Sequence, residues 1–112
     1  MPLVIEMVGE NIQTQFGAAK LYSLAHYYVQ NGDLMRDPEM VFIVVDNRKE
    51  KKDFENILVI PQMYQQDNLG IYEESINIQN GKLSCYKKFW HNGHCKFAAE
   101  WLRNISRQGF LQ

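Results

Sequence analysis

The chain is poor in the residues that staple or anchor a protein. It has only two cysteines and three prolines among 112 residues. Cys85 and Cys95 form no even, regularly spaced framework, so free thiols in a reducing compartment are expected. No apolar run approaches the roughly 20 residues that a membrane-spanning helix requires. Met1 to Val8 carries no basic region and is interrupted by Glu6, which gives no sign of a secretory leader. A cytosolic protein without membrane contact is the expectation. Charge of one sign is also lacking: 12 basic residues face 13 acidic ones, for a formal net charge of −1. Global steering toward polyanions is thereby excluded, as is mimicry of DNA by rows of carboxylates. The sequence contains no phosphate-binding loop, dinucleotide fingerprint, nucleophile elbow or H-E-x-x-H motif, and no internal repeat.

What is present suffices for one core. Apolar residues make up 46% of the chain and aromatics 12%, enough to bury about two-thirds of the unfolded surface without covalent help. One domain over residues 1–112 is expected, with residues 1–13 as an irregular N-terminal extension. From Thr14 to Asn31, Ala18, Leu21, Tyr22, Ala25, Tyr28 and Val29 recur at three- and four-residue spacing, which predicts a helix stopped at Asn31-Gly32. After Asp37-Pro38, the run Met40 to Val45 reads as a central strand covered on both faces. Asp46 to Glu55 carries four basic and four acidic residues without period and reads as a solvated loop.

Ile57 to Ile60 predicts a second strand, halted or placed at an edge by Pro61. The alternation of Tyr72, Glu74, Ile76 and Ile78 predicts a third, and Asn80-Gly81 a type I′ hairpin into a fourth over Leu83 to Phe89. Phe97, Ala98, Trp101, Leu102 and Ile105 mark an amphipathic helix from about His94 to Gln108, with Asn92 as its N-cap, Gly109 as its stop and Phe110 folding back. The expected fold is therefore α+β: an N-terminal helix, an antiparallel meander of about four strands, and a C-terminal amphipathic helix packed on the sheet.

Four groups of residues are candidates for function. Cys85, His91, His94 and Cys95 have zinc-ligand atoms, but no paired C-x-x-C or H-x-x-x-H spacing, so no metal site and no cofactor is expected. His26, beside Tyr27 and Tyr28, is a general-base candidate with no orienting carboxylate identifiable in sequence. Two polar segments stand out more. Asp33, Arg36, Asp37 and Glu39 could face Tyr64, Gln65, Gln66 and Asp67 across one recognition surface, or else pair locally with each other and with turn backbone. Finally, Lys87, Lys88, Trp90 and Arg103 lie where basic and aromatic residues interleave with Lys82, Tyr86, Phe89, Lys96 and Arg107, the composition a single-strand binder needs.

QNGDLMRDPEM, YQQDNLGIYEE and WLRNISRQGF, joined by VFIVVD, resemble an uncharacterised bacterial domain family found on conjugative transposons and other mobile elements and inside large polyvalent proteins. The resemblance spans most of Tyr22 to Phe110. It implies a cytosolic accessory protein of a mobile element and supplies no reaction and no site residues. The leading expectation is an interaction module with a protein partner on the two polar segments, as monomer or dimer. A weak nucleic-acid binder is the first alternative, and a small enzyme or ligand-binding domain with a pocket near His26, Arg36 or Asp67 the second.

Overall fold

A computed structural model describes residues 3–52 and 56–107. Seven strands build one mixed sheet: β1 (Leu3–Thr14), β2 (Gly17–Gln30), β3 (Asp33–Asp46), β4 (Ile57–Gln66), β5 (Ile71–Glu74), β6 (Ile76–Gln79) and β7 (Lys82–Tyr86), followed by one helix, α1 (Lys88–Arg107). Their order across the sheet is β5-β4-β3-β2-β1-β7-β6. The expected α+β arrangement is thus overturned at its N-terminal half. The segment expected as a helix is strand β2, the expected extension is strand β1, and in place of a four-strand antiparallel meander there is a mostly β, seven-strand mixed sheet in which β7 lies parallel to β1.

β2 forms a strand because both of its flanks are paired. It runs antiparallel to β1 from Leu3↔His26 to Thr14↔Gly17, and to β3 from Lys20↔Val44 to Gln30↔Asp33. Alternation then decides which side chains are inside. Leu24 joins a core cluster with Met40 and Phe42, while Ala19 joins the opposite one with Ile43 and Val45. Small residues such as Ala25, with no exposure at all, let the layers approach. The Asn31-Gly32 pair is not a helix stop but a two-residue hairpin turn, with φ of 53° and 86°, matching Asn80-Gly81 at 53° and 73°. Both central residues of a type I′ turn need positive φ, which Asn and Gly accept.

β3 carries the expected double burial. Met40 and Phe42 point into the cluster closed by Ala98, Trp101 and Ile105 of α1. Ile43 and Val45 point the other way, against Ile12, Ala19 and Ile76, with Ile78 and Leu83 of the β6–β7 hairpin packed beside them. Met40, Ile43 and Val45 are wholly buried, each worth about 1.5–3 kcal/mol of transfer free energy. Pro61 neither ends β4 nor lies on the outermost strand. It pairs with Phe42 where the register slips, so that Gln62 is the additional residue of a bulge. Gln62 then donates its side-chain amide to Ile76 O at 2.8 Å.

The outermost strands, β5 and β6, are consecutive in the chain and separated only by Ser75. Ser75 N donates to Gln62 O (2.9 Å), and Lys87 N donates to Ser75 O (2.7 Å). One residue therefore ties β4, the β5–β6 joint and the entry to α1 together, and the sheet curls on itself. The helix starts six residues earlier than the sequence indicates, so Asn92 lies inside it rather than capping it. Trp101 and Ile105 face the core as expected. Gly109, Phe110 and the side chain of Arg107 lie outside the described residues. Among the described residues no helix is long and apolar enough to cross a membrane.

Candidate functional site

The two polar segments do converge, as neighbouring strands rather than loops. Glu39 pairs in register with Gln65. Arg36 N donates to Asp67 Oδ2 at 2.8 Å, and the Arg36 guanidinium lies 3.4 Å from the same oxygen and 3.1 Å from Glu39 Oε1. Gln66 Nε2 donates to Asp37 Oδ1 (3.1 Å), Gln65 Nε2 to Asp67 Oδ1 (3.0 Å), and the Tyr64 hydroxyl to Gln66 Oε1 (2.5 Å). Ser23 Oγ donates to the second oxygen of Glu39. Burial, then the charge of Glu39, raises the Tyr27 hydroxyl above its ordinary pKa. These groups therefore satisfy one another and fasten β3 to β4 and to the 3-10 turn Asp67–Leu69. Asp33 sits exposed at the turn. His26 is buried against the Trp101 ring at 5.8 Å between centroids, inside the core.

The histidine and cysteine group divides. Cys85 is exposed on β7, paired in register with Asn77. The other three form a chain: Glu73 Oε1 is 3.0 Å from His94 Nε2, His94 Nδ1 is 3.3 Å from Ser75 Oγ, Ser75 Oγ is 3.5 Å from His91 Nδ1, and His91 Nε2 is 3.4 Å from Cys95 Sγ. Burial, followed by the neighbouring His94, lowers the pKa of His91, and burial raises that of the Cys95 thiol. A Ser–His–carboxylate order invites comparison with acyl-transfer enzymes, but Ser75 has no solvent exposure and its hydroxyl also lies against Pro61 O and Gln62 O. No substrate carbonyl reaches it in this conformation. Among the described residues no three His, Cys, Asp or Glu side chains are grouped to hold a metal ion.

Glu73 and His94, at one end of this chain of contacts, also line an open groove of about 540 Å³ between α1 and strands β4 and β5. Tyr64, Phe89, Trp90 and Phe97 line it with aromatic surface, Glu73 and His94 sit at its polar side, and Lys96 stands beside them. The Tyr64 ring packs edge-on against Phe97 (5.1 Å) and lies 5.8 Å from His94. Phe89 is 87% exposed, and the Lys87 ammonium lies 4.7 Å from the centre of the Trp90 ring. Of the basic-aromatic candidates, Lys87, Lys88 and Trp90 therefore cluster at the start of α1, whereas Arg103 is exposed further along it.

Two features of this groove are not read from the sequence. Glu73 pairs with His94 only because the sheet curls. Asn92-Gly93, expected ahead of the helix with Asn92 as its cap, is helical; the stripe His91, His94, Ala98, Trp101 and Ile105, at three- and four-residue spacing, is the signal that extends the helix through it. Gly93 lines the groove, and no atom of another element lies within 4 Å of where its Cβ would stand.

No curated protein and no solved structure matches this chain. Over residues 1–111 it matches the family described as a domain of unknown function, DUF6908, and it belongs to that family.

Proposed function

We propose that the protein is a ligand-binding module whose recognition site is the aromatic groove between α1 and β4–β5. Gly93 carries this reading. A glycine inside a helix costs about 0.5–1 kcal/mol relative to alanine, so helix propensity gives no reason for one at this position. Gly93 has no neighbour to accommodate, yet it lines the groove beside Trp90 and Phe97. Its missing side chain leaves space for something outside the chain. The resemblance to domains of mobile elements supports an accessory context for that binding.

The test is a two-dimensional amide NMR titration with indole as the probe. Shifts concentrated at the Trp90 indole N–H, Gly93 and Phe97, and lost in Gly93→Val, are expected. Shifts elsewhere, or shifts unchanged in Gly93→Val, overturn the reading.

A second reading is favoured by one pair of side chains. Val29 and Leu34 are cross-strand partners at the tip of the β2–β3 hairpin, 70% and 64% exposed. An apolar pair held out beside the Arg36–Asp67 bridge suits a protein partner. Capture of a partner by the native chain but not by Val29→Ser/Leu34→Ser supports it; equal capture by both excludes it.

A further inference from the structure

We propose that the groove takes a nucleotide, with the base among Trp90, Phe89 and Phe97 and the phosphate on Lys87, Lys88 and Lys96; this rests on the groove being the binding site. Four observations converge on that chemistry. Between Lys82 and Lys96 the chain has four lysines and no carboxylate, although the whole protein has a net charge of −1. Of these, Lys96 lines the groove and Lys87 lies over the ring of its lining residue Trp90, so cationic character is local to it. Two of those lysines stand at the wrong end of α1 for the helix itself. Lys88 is its first residue, Lys87 precedes it, and the first turn contains no acidic residue. Cations near the positive end of a helix are disfavoured by about 0.3–1 kcal/mol each, whereas an anion there is favoured by lysines and dipole together.

The aromatic surface is open rather than packed away. Phe89 is 87% exposed, and the Lys87 ammonium lies over one face of the neighbouring Trp90 ring, so the exposed Phe89 ring is the stacking surface and a cation stands next to it. That combination binds the flat face and the phosphate of one nucleotide, and it is sequence-tolerant because every base has a π-face. Glu73 gives the ligand a direction. Its carboxylate repels phosphate, so the phosphate must lie toward the lysines and the base toward Glu73. One Glu73 oxygen is engaged by His94; the carboxylate is 32% exposed and can accept from an exocyclic amino group. Adenine, cytosine and guanine carry such a group, and uracil and thymine do not.

The experiment compares AMP, UMP, adenosine, inorganic phosphate and the tetranucleotides d(A)4 and d(T)4, each titrated into the full chain and followed at the Trp90 indole N–H, Gly93 and Lys96. AMP is expected to bind at least about fivefold more tightly than adenosine or UMP. With about three phosphate-contacting lysines, log affinity for d(A)4 should fall with log salt at a slope of about −2. Lys87→Gln/Lys88→Gln should flatten that slope to about −0.7, and Phe89→Ala should weaken AMP roughly tenfold without unfolding a site where the ring is largely in solvent. Lys20→Gln, in the separate groove lined by Ala18, Tyr22, Val44 and Asp46, is the charge control and should change nothing.

Tighter binding of d(A)4 than of AMP identifies a strand as the source of the nucleotide; equal binding identifies the free nucleotide. Adenosine binding as tightly as AMP, or a salt slope unaffected by the lysine changes, overturns the proposal. If indole shifts the groove while no nucleotide does, the nucleotide inference fails and the groove reading stands. If neither does, both fail.

Discussion

The backbone amide of Arg36 donates to the carboxylate of Asp67 at 2.8 Å, across 31 residues of chain, and so fixes the start of β3 to the 3-10 turn after β4. Asp67 also accepts from Gln65 and faces the Arg36 guanidinium, with its side chain only 18% exposed. Hydrogen bonds to a charged group contribute about 1.5–3 kcal/mol, so Asp67→Ala should lower unfolding free energy by about 2 kcal/mol. Asp33→Ala, at the exposed turn of the same hairpin, should stay within about 0.5 kcal/mol. Urea denaturation of both variants checks the contrast, and equal effects would show that the Asp67 bonds contribute nothing measurable.

A sign reversal is expected among three glycines. Gly32 and Gly81 have φ of 86° and 73°, where a Cβ costs about 1–2 kcal/mol, so Gly32→Ala and Gly81→Ala should each destabilise by that amount. Gly93 is in a helix with open space at its Cβ position, so Gly93→Ala should stabilise by about 0.5–1 kcal/mol while weakening indole binding. Thermal melts read all three, and a destabilised Gly93→Ala would remove the argument that this glycine is free of internal packing.

Those two Asn-Gly turns also show what the sequence concealed. Asn80-Gly81 sits between short alternating strands and is legible as a hairpin; Asn31-Gly32 has the same geometry but follows Ala18, Leu21, Tyr22 and Ala25, which mimic a helical stripe. In β2 both faces are covered, so alternation of polar and apolar residues is lost and spacing alone cannot separate strand from helix. Residues 40–45 were legible because β-branched residues dominate the run. The convergence of Arg36 with Asp67 could be suspected from two polar segments, whereas Glu73–His94 depends on the curl closed by Ser75 and has no local signal.

Ile105 tests whether α1 is an integral part of the core. It is 1% exposed and packs in the cluster of Leu24, Met40, Phe42 and Trp101. Ile105→Ala should cost about 2–5 kcal/mol, whereas Phe89→Ala on the same helix should cost less than about 0.5 kcal/mol. At about 4–8 °C per kcal/mol for a domain near this size, melting temperatures separate the two clearly. A small loss for Ile105→Ala would mean that the helix can detach while the sheet stays folded.

Stability should also fall on mild acidification, and His91 supplies the cause. Burial first and the adjacent His94 second hold its pKa below the ordinary 6.5. The unfolded chain therefore binds a proton at this position more readily than the folded one, and unfolding free energy must rise with pH in that window. Read downward, the loss begins as pH drops through about 6.5 and levels off below the depressed folded value. His91→Gln removes the titrating group while leaving an amide that can still reach Ser75 Oγ, so its unfolding free energy should vary less between pH 7.5 and pH 5. The comparison is made by urea denaturation of both proteins at steps of half a pH unit. A profile for His91→Gln as steep as that of the native chain would assign the acid sensitivity to other groups.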